Sequence, residues 1–173
     1  MTDREPIVEL EAFSSPGAIP TPWSRGREAF AQALLYWLTT VRPSGRPHVT
    51  PLIGVWSEGA AYFCTGSSER KAKNLSTNPN CILTTGRNDL ADGLDVVLEG
   101  KAAPVSDETE LDGVAGGFEL KYGPLLTEPA GTWFGLGDAI RKEVTILYRV
   151  VPTTIFGFGK GADKYSQTRW RFD

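Results

Sequence analysis

The sequence predicts a mainly β domain with a few flanking helices, its strands rolled into a small closed or partly split barrel. Three observations carry this. The chain has 173 residues, near the usual size of one compact domain, and its 19 Gly and 12 Pro demand frequent turns. Between those turns, short runs rich in aromatic and β-branched residues recur along the chain. Several of these runs are apolar on both faces, as expected when a sheet encloses a core and carries helices or another subunit outside. About six to eight strands, mostly antiparallel, are expected.

Residues 1–23 hold four prolines and no sustained period, which reads as an extended N-terminal arm preceding one domain over 24–173. Ser24 is placed to cap a helix running to about Ala33, with Glu28 favouring its positive end. LLYWLTTV and HVTPLIGVW flank the turn Pro43-Ser44-Gly45 and form a hairpin. Ser57-Glu58-Gly59 turns the chain into a third antiparallel strand, AAYFCT. SSERKAKNLSTN is a short helix, with Ala72 and Leu75 on one face and Pro79 beyond its end, and CILTTG resumes strand character. LDVVLEGKAAPV is the next strand and SDETELDGVAGGFELKYG an acidic helix weakened by glycines. YGPLLTEPAGTWFGLG reads as a long apolar loop. EVTILYRVV, TTIFGF and QTRWRF supply three closing strands, the first two separated by Pro152.

Composition narrows the chemistry. Eighteen basic against 21 acidic side chains leave a net charge of −3, so no basic excess draws the whole protein onto nucleic acid or anionic lipid. The single histidine, His48, removes zinc sites that need two or three imidazoles. Cys64 and Cys81 form no Cys-x-x-Cys pair and are expected as reduced thiols. The opening MTDREPIVELEAF lacks the apolar block of a signal peptide, and no run reaches the ~18 apolar residues of a membrane span. A cytoplasmic protein with neither nucleic acid nor membrane as partner is expected.

The most informative stretch is TGSSERKAKNL. Arg70 and Lys71 fall in the first helical turn, where free N–H groups already create partial positive charge and each cation is misplaced by ~0.3–1 kcal/mol. A phosphate would relieve this, held by backbone N–H groups, by the hydroxyls of Thr65, Ser67 or Ser68, and by charge-assisted contacts from Arg70 and Lys71. The alternative is that Glu69 neutralises the turn and the cations point into water. No Gly-x4-Gly-Lys-Ser/Thr string exists, and GFGKG at 157–161 leaves too little chain for a dinucleotide-binding unit. His48 shares a strand face with Thr50, yet no Gly-x-Ser-x-Gly elbow and no orienting acid accompany it. With so few acid, base or nucleophile candidates, catalysis is easier to accept if a bound cofactor supplies the reactive atoms. In TRWRF, Arg169 and Arg171 alternate with Trp170 and Phe172. Arg169 can pair with a phosphate or a ring carbonyl, and Trp170 is either core or a stacking surface for an aromatic ligand.

TTVRPSGRPHVTPLIGVW, YFCTGSSERKAKNLSTNP and the closing TRWRF, in this order over about residues 27–172, resemble the pyridoxamine 5'-phosphate oxidase-like superfamily of split β-barrel flavoproteins, with its flavin- and deazaflavin (F420)-dependent oxidoreductases. The resemblance implies that His48, Val49, Thr50 and Pro51 line the ring of FMN or F420. It further implies that Thr65, with Ser67, Ser68 and Asn74 of the same motif, contacts the cofactor and that Arg70 and Lys71 grip its phosphate. Arg169 would reach the ring from the neighbouring subunit, beside Trp170, in a homodimer with the cofactor between subunits.

One departure limits the substrate. The superfamily's true oxidase carries an Arg-x-His motif just before its last arginine, where this chain has Lys164-Tyr165-Ser166-Gln167-Thr168. The expected activity is therefore hydride or electron transfer to or from a small organic substrate other than pyridoxamine phosphate, with the 122–137 loop, including Trp133 and Phe134, as a wall for it. A flavin carrier or sensor without turnover, and a haem-binding protein using His48 as axial ligand, are the rival readings.

Overall fold

The computed structural model describes residues 5–126, 135–161 and 164–172. Its elements run β1 (Ile7–Leu10), α1 (Trp23–Gln32), β2 (Tyr36–Val41), β3 (Pro47–Leu52), β4 (Val55–Ser57), β5 (Ala60–Thr65), α2 (Arg70–Leu75), β6 (Asn80–Thr85), β7 (Gly93–Pro104), α3 (Glu108–Leu126), α4 (Leu136–Arg141), β8 (Ile146–Lys160) and β9 (Ser166–Arg171). The strands pair in the order β1-β9-β8-β7-β6-β2-β3, with β5 between β4 and β8, and every pairing is antiparallel. The sheet is an open, mainly antiparallel split barrel.

β8 makes the split. One edge pairs with β7 along almost its whole length, whereas the other pairs with β5 over Ile146 to Val150 and with β9 over Thr154 to Gly159. Pro152 sits between the two partners, opposite Gly100 and next to a register shift at Glu99 and Gly100. It therefore does not end the strand, contrary to the sequence expectation of two strands: a proline is tolerated where a bulge relaxes the ladder. Gly100 is required there, because a Cβ would fall 2.5 Å from the Val151 carbonyl oxygen.

The expected strand HVTPLIGVW is instead two. β3 pairs with β2 and β4 with β5, and the chain crosses at Ile53-Gly54. Gly54 is pinned on both sides, its N–H donating to the Tyr122 hydroxyl at 3.1 Å and its carbonyl accepting from Tyr122 at 2.8 Å and Lys121 at 2.9 Å. Two further boundaries differ. Pro22, not Ser24, occupies the position before α1, because Trp23 is drawn into the core against Trp56 and Trp170 and takes the first helical position. Tyr122 to Leu126 continue α3, and Leu136 and Gly137 open α4, so these residues of the expected 122–137 loop are helical; residues 127–134, with Trp133 and Phe134, lie outside the described residues. Within the arm, β1 adds to β9, and the hydroxyls of Ser14 and Ser15 accept the N–H groups of Gln167 and Tyr165.

Two cores explain strands that are apolar on both faces. Inside the barrel lie Trp23, Phe30, Tyr36, Leu38, Phe63 and Trp170 with their neighbours. On the outer face of β4, β5 and β8, a second core receives Leu111, Val114, Ala115, Phe118 and Tyr122 of α3, spaced as one helical stripe, together with Ile140 of α4. β5 serves both: Ala61 and Phe63 face the first core, Ala60 and Tyr62 the second. Both cysteines are free, and burial pushes each thiol up to about 12, which leaves neither as a nucleophile.

Candidate anion-binding site on the β2-β3 face

The site begins with a hairpin. Gly45, at φ 80°, closes the turn between β2 and β3, and the Arg42 N–H donates to the Arg46 carbonyl at 3.0 Å. The register sets Thr40 opposite His48 and Leu38 opposite Thr50. Directly opposed residues share a face, so His48, Thr50 and Thr40 look one way while Val49, Pro51 and Trp37 look the other. The pleat therefore divides the four residues expected to line one ring: His48 and Thr50 share a face that Val49 and Pro51 do not. All four lie on β3, the terminal strand of the pairing order, whose outer backbone edge has no strand partner among the described residues.

α2 joins β5 to β6 and packs its inner side against β2. Asn74, fully buried, donates through Nδ2 to Thr40 Oγ1 at 2.9 Å, and Thr40 Oγ1 lies 3.5 Å from His48 Nδ1. Asn74 Oδ1 and Arg42 Nε are buried with no hydrogen-bond partner among the described residues, two orphaned polar atoms beside the same hairpin. Lys71 is nearly buried, while Ser67, Ser68 and Arg70 are exposed at the rim, and the two serine hydroxyls make no hydrogen bond among the described residues.

Glu69 fills the centre. Its carboxylate accepts the Gly66 N–H at 2.9 Å and the Thr65 hydroxyl at 3.0 Å, and it pairs with the Lys71 ammonium. Lys71 above all, then the Gly66 N–H, outweigh burial and hold this carboxyl below the usual carboxylate range. Burial first, then the charges of Arg42, Lys71 and Arg70, hold the His48 imidazole below its ordinary value, so it is mainly neutral at pH 7. Three cations thus act on one face with one carboxylate among them. α2 has six residues, too short for its dipole to matter much, and the anion-attracting field comes from side chains and the Gly66 N–H.

Within this one chain, Trp170 and Arg169 make other contacts. Trp170 is fully enclosed in the core, its Nε1 donating to the Thr21 carbonyl at 3.1 Å and its ring pressed between Gly26 and Gly157. It has no face left for a ligand within this chain. Arg169 is taken by the arm, pairing with Glu9 at 2.9 Å and Glu11 at 3.0 Å. Conversely, Arg42 and Thr40 belong to the site and were not singled out from the sequence. Alternation back from the Pro43-Ser44-Gly45 turn would have found both, since it sets Thr40 across from His48.

A family model for pyridoxamine 5'-phosphate oxidase matches residues 25–148, most of the chain. The chain belongs to this family. Solved structures share the oxidase-family fold at low identity. A protein described as a 5-nitroimidazole antibiotic resistance protein from Bacteroides thetaiotaomicron is 14% identical with TM-score 0.66, the match covering 99% of each chain. An FAD-binding protein from Mesorhizobium loti is 12% identical with TM-score 0.59, over 96% of this chain and 99% of that one. The heme storage protein HutZ from Vibrio cholerae is 18% identical with TM-score 0.60, over 80% and 94%. No curated protein matches the sequence. Among the described residues, no helix is long and apolar enough to cross a membrane.

Proposed function

We propose that this member of the oxidase family is an FMN- or F420-dependent oxidoreductase that exchanges hydride or electrons with a small organic substrate other than pyridoxamine phosphate. One observation carries the reading: Thr65, the Gly66 N–H and Lys71 converge on a carboxylate, beside Arg70 and Arg42, in an arrangement suited to a phosphate. The orphaned Asn74 Oδ1 and Arg42 Nε fit a further polar ligand group at the same place.

In this reading Lys71, Arg70, Thr65 and the rim hydroxyls of Ser67 and Ser68 hold the phosphate. His48, held by Thr40 and through it by Asn74, and Thr50 on the same strand face would meet the ring along the open edge of β3. When bound, the flavin-type ring supplies the hydride or electron chemistry, and the protein orients and shields it. The opposite face of the hairpin carries Trp37 at 49% exposure and Val49 at 54%, near Leu34 and Leu35, an apolar area suited to a second copy of the chain. A homodimer through this face is expected, and Trp37→Asp combined with Val49→Asp is expected to leave a monomer by light scattering.

The visible spectrum of the purified protein, followed by titration with FMN and with F420, tests the reading. Tight binding with turnover supports an oxidoreductase. Tight binding with no turnover on any donor or acceptor points to a carrier or sensor. The haem relatives supply the other reading, and a Soret band abolished in His48→Ala would favour it.

A further inference from the structure

β5 has two ends and two faces, and the anion site uses one of each, through Thr65. At the other end, on the outer face, the β4-β5 turn, β8 and the first turns of α3 line a cleft of about 680 Å³, within the range of small-molecule sites. Its apolar wall is Ala60, the Tyr62 ring, Val114 and Val151. Tyr62 and Arg149 are register partners on β5 and β8, and both reach Glu110 of α3. The Tyr62 hydroxyl donates to Glu110 at 2.8 Å, and one Arg149 nitrogen lies 3.2 and 3.4 Å from its two oxygens. These contacts fix the carboxylate without filling all of its acceptor sites. Gly113, inside α3, also lines the cleft, and a Cβ there would meet nothing within 4 Å. Glycine weakens a helix interior relative to alanine, and no close neighbour requires it at this position. Its effect is to leave the cleft open.

We propose that this cleft is a second ligand site, for a small organic cation with an apolar body, and that Glu110 holds the cationic group. The sign of the charge follows from the lining, where the carboxylates of Glu58, Asp107 and Glu110 face one guanidinium, Arg149. The start of α3 adds about half a positive charge, which leaves the cleft negative by more than one charge. Asp107 already answers that helix end, its Oδ1 accepting the Glu110 N–H at 2.8 Å. An anion drawn to Arg149 would meet the three carboxylates, whereas an ammonium group at Glu110 meets a carboxylate already held in place. Exposed charges are screened, so the attraction sets the sign of the ligand, and burial of its apolar body against Ala60, Val114 and Val151 supplies the rest of the affinity. The site stands apart from the anion pocket and does not depend on which cofactor binds there.

The experiment titrates the full chain at pH 7, where an alkylamine is protonated, with phenethylammonium, phenethyl alcohol and 3-phenylpropionate, three probes of similar shape and different charge, and follows the backbone amide signals by NMR. Phenethylammonium is expected to move the Gly59 and Gly113 signals and to bind about tenfold more tightly than phenylpropionate, with the alcohol between them. Gly113→Leu fills the cleft without meeting a neighbour, so its melting temperature should be unchanged or raised while phenethylammonium affinity falls about tenfold or more. Glu110→Gln keeps an oxygen for the Tyr62 hydroxyl and removes the charge, so phenethylammonium should weaken roughly fivefold and the alcohol little. No saturable binding of phenethylammonium, binding of phenylpropionate at equal or greater strength, shifts confined to other parts of the chain, or undiminished phenethylammonium affinity in either folded variant overturns the proposal.

Discussion

Two cation-bearing segments of this chain meet opposite fates. At the closing strand, Arg169 is matched by Glu9 and Glu11 across β1, and Trp170 is sealed between Gly26 and Gly157. Arg169 and Trp170 there each have an internal partner. At residues 65–75, Lys71 pairs with Glu69, Arg70 and Arg42 add two further cations, and Asn74 Oδ1 has no donor among the described residues. The difference lies in what the fold delivers to each segment. The arm brings two acids to β9, while the β2-β3 hairpin brings another cation and a neutral histidine to α2. Compensated charge holds a fold together, and charge left in excess attracts a ligand.

The largest effect should come from the sealed region. In Gly157→Val, a Cβ would fall 2.3 Å from the Trp170 ring, a rigid neighbour that cannot give way. A loss of about 3 kcal/mol or more is expected in urea denaturation, and Trp170→Ala should cost about 3–5 kcal/mol. Next is the charged region, where Arg70→Ala combined with Lys71→Ala should leave the unfolding midpoint nearly unchanged and weaken FMN binding about a hundredfold, since two charge-assisted hydrogen bonds go. Undiminished FMN binding in a folded double variant breaks the contrast.

Arg169→Ala sharpens it. If the pairs with Glu9 and Glu11 are its whole role, the partly exposed bridges cost about 0.2–1 kcal/mol and FMN affinity stays within about twofold. A large loss of affinity would put Arg169 in the site of a neighbouring subunit. The smallest effect is electrostatic. As the single histidine, His48 gives one imidazole signal by proton NMR, with an expected midpoint below the usual ~6.5. A depressed folded value means that its contribution to stability is complete above ~6.5 and is lost as pH falls through the folded midpoint. Arg42→Ala should raise that midpoint by removing a repelling charge, and bound FMN should raise it by adding negative charge. A midpoint indifferent to both would separate His48 from the site.

Local patterns were legible where local physics decides. The period-2 runs, the short α2 and the turn at Pro43-Ser44-Gly45 are visible because side-chain alternation and turn chemistry act over a few residues. Pro152 misled, because whether a proline ends a strand depends on the bulge that Gly100 permits more than fifty residues earlier. The crossing at Gly54 was hidden for a similar reason, its backbone being held by Tyr122 and Lys121 from α3. In the site, the TGSSERK cations were readable as a local oddity, whereas Arg42 and Thr40 became relevant once the strand register was known.

By itself, the sequence determined that this chain makes antiparallel strands apolar on both faces, and that cations crowd the start of α2. Both follow from the order of neighbouring side chains. Only the tertiary structure decided which charges are cancelled. Arg169 meets Glu9 and Glu11 through the pairing of the first strand with the last, while Arg42 and His48 join Lys71 through the packing of a hairpin against a helix. Electrostatic interactions depend on distance in space, and for these groups only the fold sets it.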